Sequence, residues 1–146
     1  MSGSIVIKGT EGYGLESNPI PPAWVVEGKP EARLKLLAKS RDGTSWTLVW
    51  ECTAGTFHWY YPEDETVVVI SGEVFISTKD GDERRLGADD MAHFPAGTSC
   101  KWRVPDRIRK VAIMRKPLPV WMGFGVRAWH KLTRMAGLRQ TSPLLQ

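Results

Sequence analysis

Histidine and cysteine are scarce in this chain of 146 residues, which holds three of the first and two of the second. Cys52 and Cys100 cannot build a disulfide framework, so stability has to come from a packed core, and a reducing cytoplasm is the expected compartment. No apolar run reaches the ~18 residues that a spanning helix needs. The start, Met1-Ser-Gly-Ser-Ile-Val-Ile-Lys8, lacks both the basic opening and the long apolar centre of a secretion signal. Low-complexity sequence is missing too. With 42% apolar residues and seven Trp, one folded domain is expected rather than disorder.

Acidic residues nearly vanish from the last third. Residues 1–100 hold nine Lys/Arg against fifteen Asp/Glu, whereas residues 101–146 hold eleven against Asp106 alone. A basic half can mark nucleic acid or an anionic surface as partner. No nucleic-acid motif accompanies it, and several of these cations alternate within a predicted strand, so a solvated basic face is expected and nucleic acid is not.

Short runs rich in β-branched and aromatic residues dominate the first 116 positions. Strands are predicted over Ile5–Ile7, Leu34–Leu36, Trp46–Trp50, Thr56–Tyr61, Thr66–Ile70, Val74–Ser77, Arg84–Leu86, Met91–Phe94, Lys101–Val104 and Val111–Met114. Arg41-Asp-Gly43-Thr44 and Lys79-Asp-Gly81-Asp82 are tight turns in which Gly supplies positive φ. Asn18-Pro-Ile-Pro-Pro22 is expected to be extended, because adjacent prolines block helix and pairing. Strands this short and regular suggest a closed or sandwich all-β form. After Pro117-Leu-Pro119 the apolar period becomes helical. Trp121, Phe124, Ala128, Leu132 and Met135 fall on one face and Arg127, Lys131 and Arg134 on the other, with Gly137 as the stop. The expected division is a domain over 1–116, core about 24–116, followed by an amphipathic helix and tail over 117–146. That helix covers protein or, in the sharper reading, lies on anionic lipid.

Two motifs carry the chemistry. His58-Trp-Tyr60-Tyr-Pro-Glu-Asp-Glu65 leads into Thr66-Val-Val-Val-Ile70-Ser-Gly72, and Pro95-Ala-Gly97-Thr-Ser-Cys100 follows the strand Met91–Phe94. This spacing resembles the two motifs of the cupin superfamily, with Tyr60 and Cys100 standing where further His residues are usual. Trp24-Val-Val-Glu27-Gly28, Trp50-Glu-Cys-Thr-Ala-Gly-Thr-Phe57, Phe94-Pro-Ala-Gly-Thr98 and Trp102 extend the resemblance toward the branch that contains the cupin domain of ureidoglycine aminohydrolase. The resemblance implies an all-β jelly-roll barrel with the C-terminal α-helix appended to it. Residues two apart in a strand share a face, and the family pattern puts the face of His58 and Tyr60 inside, with Glu65 beside it.

His58, Tyr60 and Glu65 are therefore the candidate catalytic residues, and Trp102 and Val67 the candidate pocket lining. His58, Glu65 and Cys100 are the candidate metal set, for Zn, Mn, Fe or Ni. Each has a structural alternative: a hydrogen-bonded His58, a Glu65 paired with a basic residue of the wall, a buried Cys100. Three functions fit. The first is binding of a small polar or anionic organic ligand with weak or no native metal. The second is a metal-dependent enzyme on a small nitrogenous or hydroxy-acid substrate, and the third a metal-free epimerase or isomerase using His58 and Tyr60. A homodimer is expected, since exposed strand edges need covering.

Overall fold

A computed structural model describes residues 4–138. Eight strands and one α-helix follow one another: β1 (Glu16–Ser17), β2 (Val25–Gly28), β3 (Ala32–Lys39), β4 (Ser45–Tyr60), β5 (Asp64–Ser77), β6 (Glu83–Gly87), β7 (Met91–Phe94), β8 (Ser99–Arg115) and α1 (Val120–Met135). A single 3₁₀ turn, Pro22–Trp24, precedes β2. The chain divides into two compact units, Met1–Lys116 and Pro117–Gln146. No helix among the described residues is long and apolar enough to cross a membrane.

Every pairing in the barrel unit is antiparallel, in the order β1-β3-β4-β8-β5-β6, with β2 added on β4 and β7 on β5. Three strands are too long for one sheet face and bend. The first part of β4 pairs β3 from Trp46 to Cys52, and its second part pairs β2 from Gly55 to Phe57. Likewise β5 pairs β7 early, at Glu65–Val68, and β6 late, at Glu73–Ser77. The result is two facing halves that share β4, β5 and β8, the jelly roll that the resemblance implied. Trp50 of one half meets Phe57, Trp59 and Trp102 of the other edge-on, at 5.7–6.4 Å between ring centres.

The bends explain where sequence and structure differ. Six of the predicted strands are three continuous ones: Trp46–Trp50 with Thr56–Tyr61, Thr66–Ile70 with Val74–Ser77, and Lys101–Val104 with Val111–Met114. Register shifts at Thr53/Gly55, Val69/Ser71 and Gly72/Phe75 carry the chain through each corner without ending the ladder. At Gly72, φ is 78° and a Cβ would sit 1.9 Å from the Arg107 carbonyl oxygen, so only glycine lets β5 and β8 approach there. Ile5-Val-Ile7 forms no strand, because nothing pairs or buries it; Ile5 and Ile7 are both exposed. The turns at Gly43 and Gly81 have the expected positive φ, 70° and 85°. Val67, Val69, Phe94 and Trp102 point into the core.

The helix has its expected bounds, closed by Gly137 in the left-handed region with Arg134 in its last turn. None of its residues is buried.

Candidate functional site

An inserted residue reverses which parity of a strand faces inward. Before the shift at Thr53/Gly55, the even residues Trp50 and Cys52 of β4 face the core. After it, the odd ones do: Phe57, Trp59 and then Tyr61. His58 and Tyr60 do share a face, but it is the outer one, and both are exposed. Glu65 and Cys100 are buried inside. His58 and Tyr60 are therefore separated from Glu65, with Cys100 between them, its thiol by the inner Tyr61 hydroxyl.

The outer site is an open cleft of about 520 Å³ lined by His58, Tyr60, Ser77, Thr78, Lys79, Ser99 and Lys101, with Cys100 in its floor. Three strands set it in register: His58 of β4 lies opposite Lys101 of β8, which lies opposite Ser77 of β5. Among the described residues no Asp or Glu lines it. Trp24 packs against Tyr60 and Trp59 from the side, at 5.0 and 5.5 Å between rings.

The inner site centres on a residue the motif reading passed over. Lys110 is buried, and its Nζ donates to Glu65 Oε1 at 2.5 Å with both side chains 4% exposed. Its ammonium lies 4.9 Å from the Trp50 ring centre and 4.6 Å from that of Trp102, an aromatic slot that favours a cation. Beside this pair, Trp102 Nε1 donates to the Tyr61 hydroxyl at 2.9 Å, and that hydroxyl lies 3.5 Å from Cys100 Sγ. Tyr61 stacks on Phe94 with ring centres 4.4 Å apart. Burial pushes the Tyr61 phenol and the Cys100 thiol above their ordinary ranges, so neither ionises at neutral pH. Burial also raises the Cys52 thiol, to about 12. Trp50 Nε1 is buried with no hydrogen-bond partner among the described residues. Trp102 and Val67, the residues expected to line the pocket, both belong to the surrounding core.

The metal set His58, Glu65 and Cys100 is not assembled. His58 is on the outer face, Glu65 is engaged by Lys110, and the Cys100 thiol is held protonated by burial. Among the described residues no group of three or more His, Cys, Asp or Glu is placed to hold a metal ion. These residues do not fit a catalytic metal of the three-ligand kind. His93 instead shares a hydrogen bond with Thr66 on the surface, at 2.9 Å from Nδ1.

Signals for the missed residues are present in the chain. Phe57-x-Trp59-x-Tyr61 alternates aromatics on odd positions, which marks the inner face more firmly than His58-x-Tyr60 does. Lys110 sits between Ile108 and Ala112 in an alternating run, and a lysine on that phase is a buried lysine.

This all-antiparallel jelly roll, with its polar cluster enclosed by aromatics, is that of a cupin. A family model of the EutQ-like cupin domain matches residues 39–112, just over half of the chain, and the chain belongs to that family. Solved structures share the fold. The EutQ protein of Clostridium difficile superposes with a TM-score of 0.54 at 23% identity, over 60% of this chain and 69% of that one. A protein of the DUF861 family from Pseudomonas syringae pv. tomato gives 0.64 at 22% identity, over 68% of this chain and 43% of its own. A cupin-like protein of Thermotoga maritima gives 0.57 at 13% identity, over 73% and 82%. No curated protein sequence matches the chain.

Proposed function

We propose that this cupin binds a small polar or anionic organic molecule inside its barrel, with Lys110 and Glu65 as its anchors. The observation that carries the reading is the buried Lys110–Glu65 pair set between Trp50 and Trp102, next to an indole N–H that lacks a partner. A buried ion pair is a poor device for stability, since a well-packed apolar pair of similar volume does as well or better. A buried donor without an acceptor also costs free energy that a bound acceptor would restore. Together they suit a ligand with a carboxylate or carbonyl for Lys110 and Trp50 and a hydroxyl or amine hydrogen for Glu65. Hydroxy acids and ureido acids have both groups. The unionised Tyr61 and Cys100 can supply neutral hydrogen bonds. Two buried thiols suit a reducing cytoplasm.

The test is calorimetric titration with a panel of small hydroxy and ureido acids. Lys110→Met should weaken binding of any ligand found by at least about tenfold, the loss of one charge-assisted hydrogen bond. The double variant Lys110→Met/Glu65→Leu should keep the fold, judged by its melt, and also lose the ligand. Unchanged binding in Lys110→Met would sink the reading.

A second reading rests on the outer cleft, where His58 and Tyr60 stand together beside Lys79 and Lys101. There the pair could act as base and acid in a metal-free epimerisation or isomerisation. His58→Ala and Tyr60→Phe leave inner binding intact in the first reading and abolish turnover in the second. A metal-dependent hydrolase like ureidoglycine aminohydrolase ranks below both, because the described donors form no ligand group.

A further inference from the structure

The net charge of the molecule comes from its last thirty residues. Residues 1–116 hold sixteen Lys/Arg and sixteen Asp/Glu, whereas residues 117–146 hold Arg127, Lys131, Arg134 and Arg139 and no acid at all, which accounts for the whole net +4. Within α1 the charges are not scattered. At about 100° per residue, Arg127, Lys131, Arg134 and His130 share one arc of roughly 100°, and an arc of roughly 160° on the other side, from Phe124 round to Met122, holds no polar side chain. On that apolar arc Trp121 is 73% exposed, Phe124 63%, Trp129 65% and Leu132 63%.

We propose that α1 is a membrane-surface helix that binds anionic lipid, its Trp and Phe side chains entering the acyl boundary and its cations meeting the headgroups. Four features favour lipid over protein. An apolar arc of roughly 160° is wider than the ~100° stripe that a groove-binding helix presents. Its two Trp residues have the amphipathic rings that settle at a membrane interface. Every charged residue on the polar arc is a cation, the composition of a helix lying on an anionic surface. Finally, the Arg127 guanidinium lies 4.7 Å over the Phe124 ring, so its chain runs along the apolar margin with the charge held at the polar side. A second copy of this helix would bring no acid to offset the cations, and the barrel unit has no surplus negative charge. At 16 residues the helix lies on a bilayer rather than spanning it.

Flotation of the full-length protein with vesicles tests this. Binding is expected to phosphatidylcholine vesicles containing phosphatidylglycerol, to fall steeply with salt, and to be absent from phosphatidylcholine alone. Each cation near the surface strengthens binding about fivefold, so Arg127→Gln/Lys131→Gln/Arg134→Gln should weaken it about a hundredfold. The same variant should melt like the parent, since these side chains are exposed. Trp121→Ser/Phe124→Ser should abolish binding at every salt concentration. Failure to float with anionic vesicles at low salt overturns the proposal. So does self-association that Trp121→Ser/Phe124→Ser removes while vesicles are ignored, which would make a second copy the occupant.

Discussion

Cys100 and Tyr61 show how burial decides what a side chain can do here. A cysteine next to a tyrosine reads as reactive in a list of residues. Inside this barrel both stay protonated, because the charged forms would sit among Trp102, Phe94 and Phe57. Cys52 is the sharper case, its thiol raised from an ordinary 9.0 to about 12. The folded state therefore resists ionisation that the unfolded chain accepts. Its contribution is fully present below pH 9 and is lost as pH rises from 9 through 12. Urea midpoints measured between pH 7 and pH 11 should fall toward alkali, and they should fall less in Cys52→Ala. At this scale the sequence was half legible. Glu65 and Cys100 are placed inside by the motif spacing. His58 and Tyr60 are placed outside by a bulge between Thr53 and Gly55, three to seven residues upstream, whose effect shows in the chain only as the odd-numbered aromatics Phe57, Trp59 and Tyr61.

Strands show the same limit from the other side. Period-two alternation located every barrel strand beyond β2, but it read each corner as an end. The reason is chemical: glycine and proline mark turns and bulges alike, and Gly55, Gly72 and Pro105 occupy bulges or bends inside longer strands. Gly72 is the position where this matters most. Gly72→Ala would drive a methyl into the Arg107 carbonyl while holding φ at 78°, so a loss of about 3 kcal/mol or more is expected in urea unfolding. Gly43→Ala has similar φ, 70°, but nothing near its Cβ, and should cost only about 1 kcal/mol. Near-equal losses at the two sites would show that contact with β8 is not what Gly72 protects. In α1, by contrast, the 3.6 period and Gly137 were sufficient to define the helix, even with Gly123 and Gly125 in its first turns.

For the whole molecule, the two ends of the sheet path remain open. β1 is two residues long and β6 carries Glu83, Arg84 and Arg85, so these edges resist pairing. β2 and β7 are less protected, and Val26 and Met91 on them are 56% and 57% exposed. A homodimer that covers one of these edges is expected, with light scattering giving twice the 16.4 kDa chain mass at micromolar concentration. A charged residue at Val26 or Met91 should return the particle to one chain. A particle of one chain mass in the unsubstituted protein would mean that short strands alone protect the edges.

The sharing of β4, β5 and β8 between the two halves governs how the barrel comes together in time. Ser45 pairs with Arg115 and Asp64 pairs with Arg115 as well, so the first strands cannot be fixed until most of the unit has been synthesised. Each contact of this kind closes a long loop before any neighbour rewards it, which places such a chain among slow folders. During that delay the aromatic faces of Trp50, Phe57, Trp59 and Trp102 are open to other chains. The half-made barrel is then the state most prone to aggregation, and nascent copies depend on dilution or chaperones until β8 arrives.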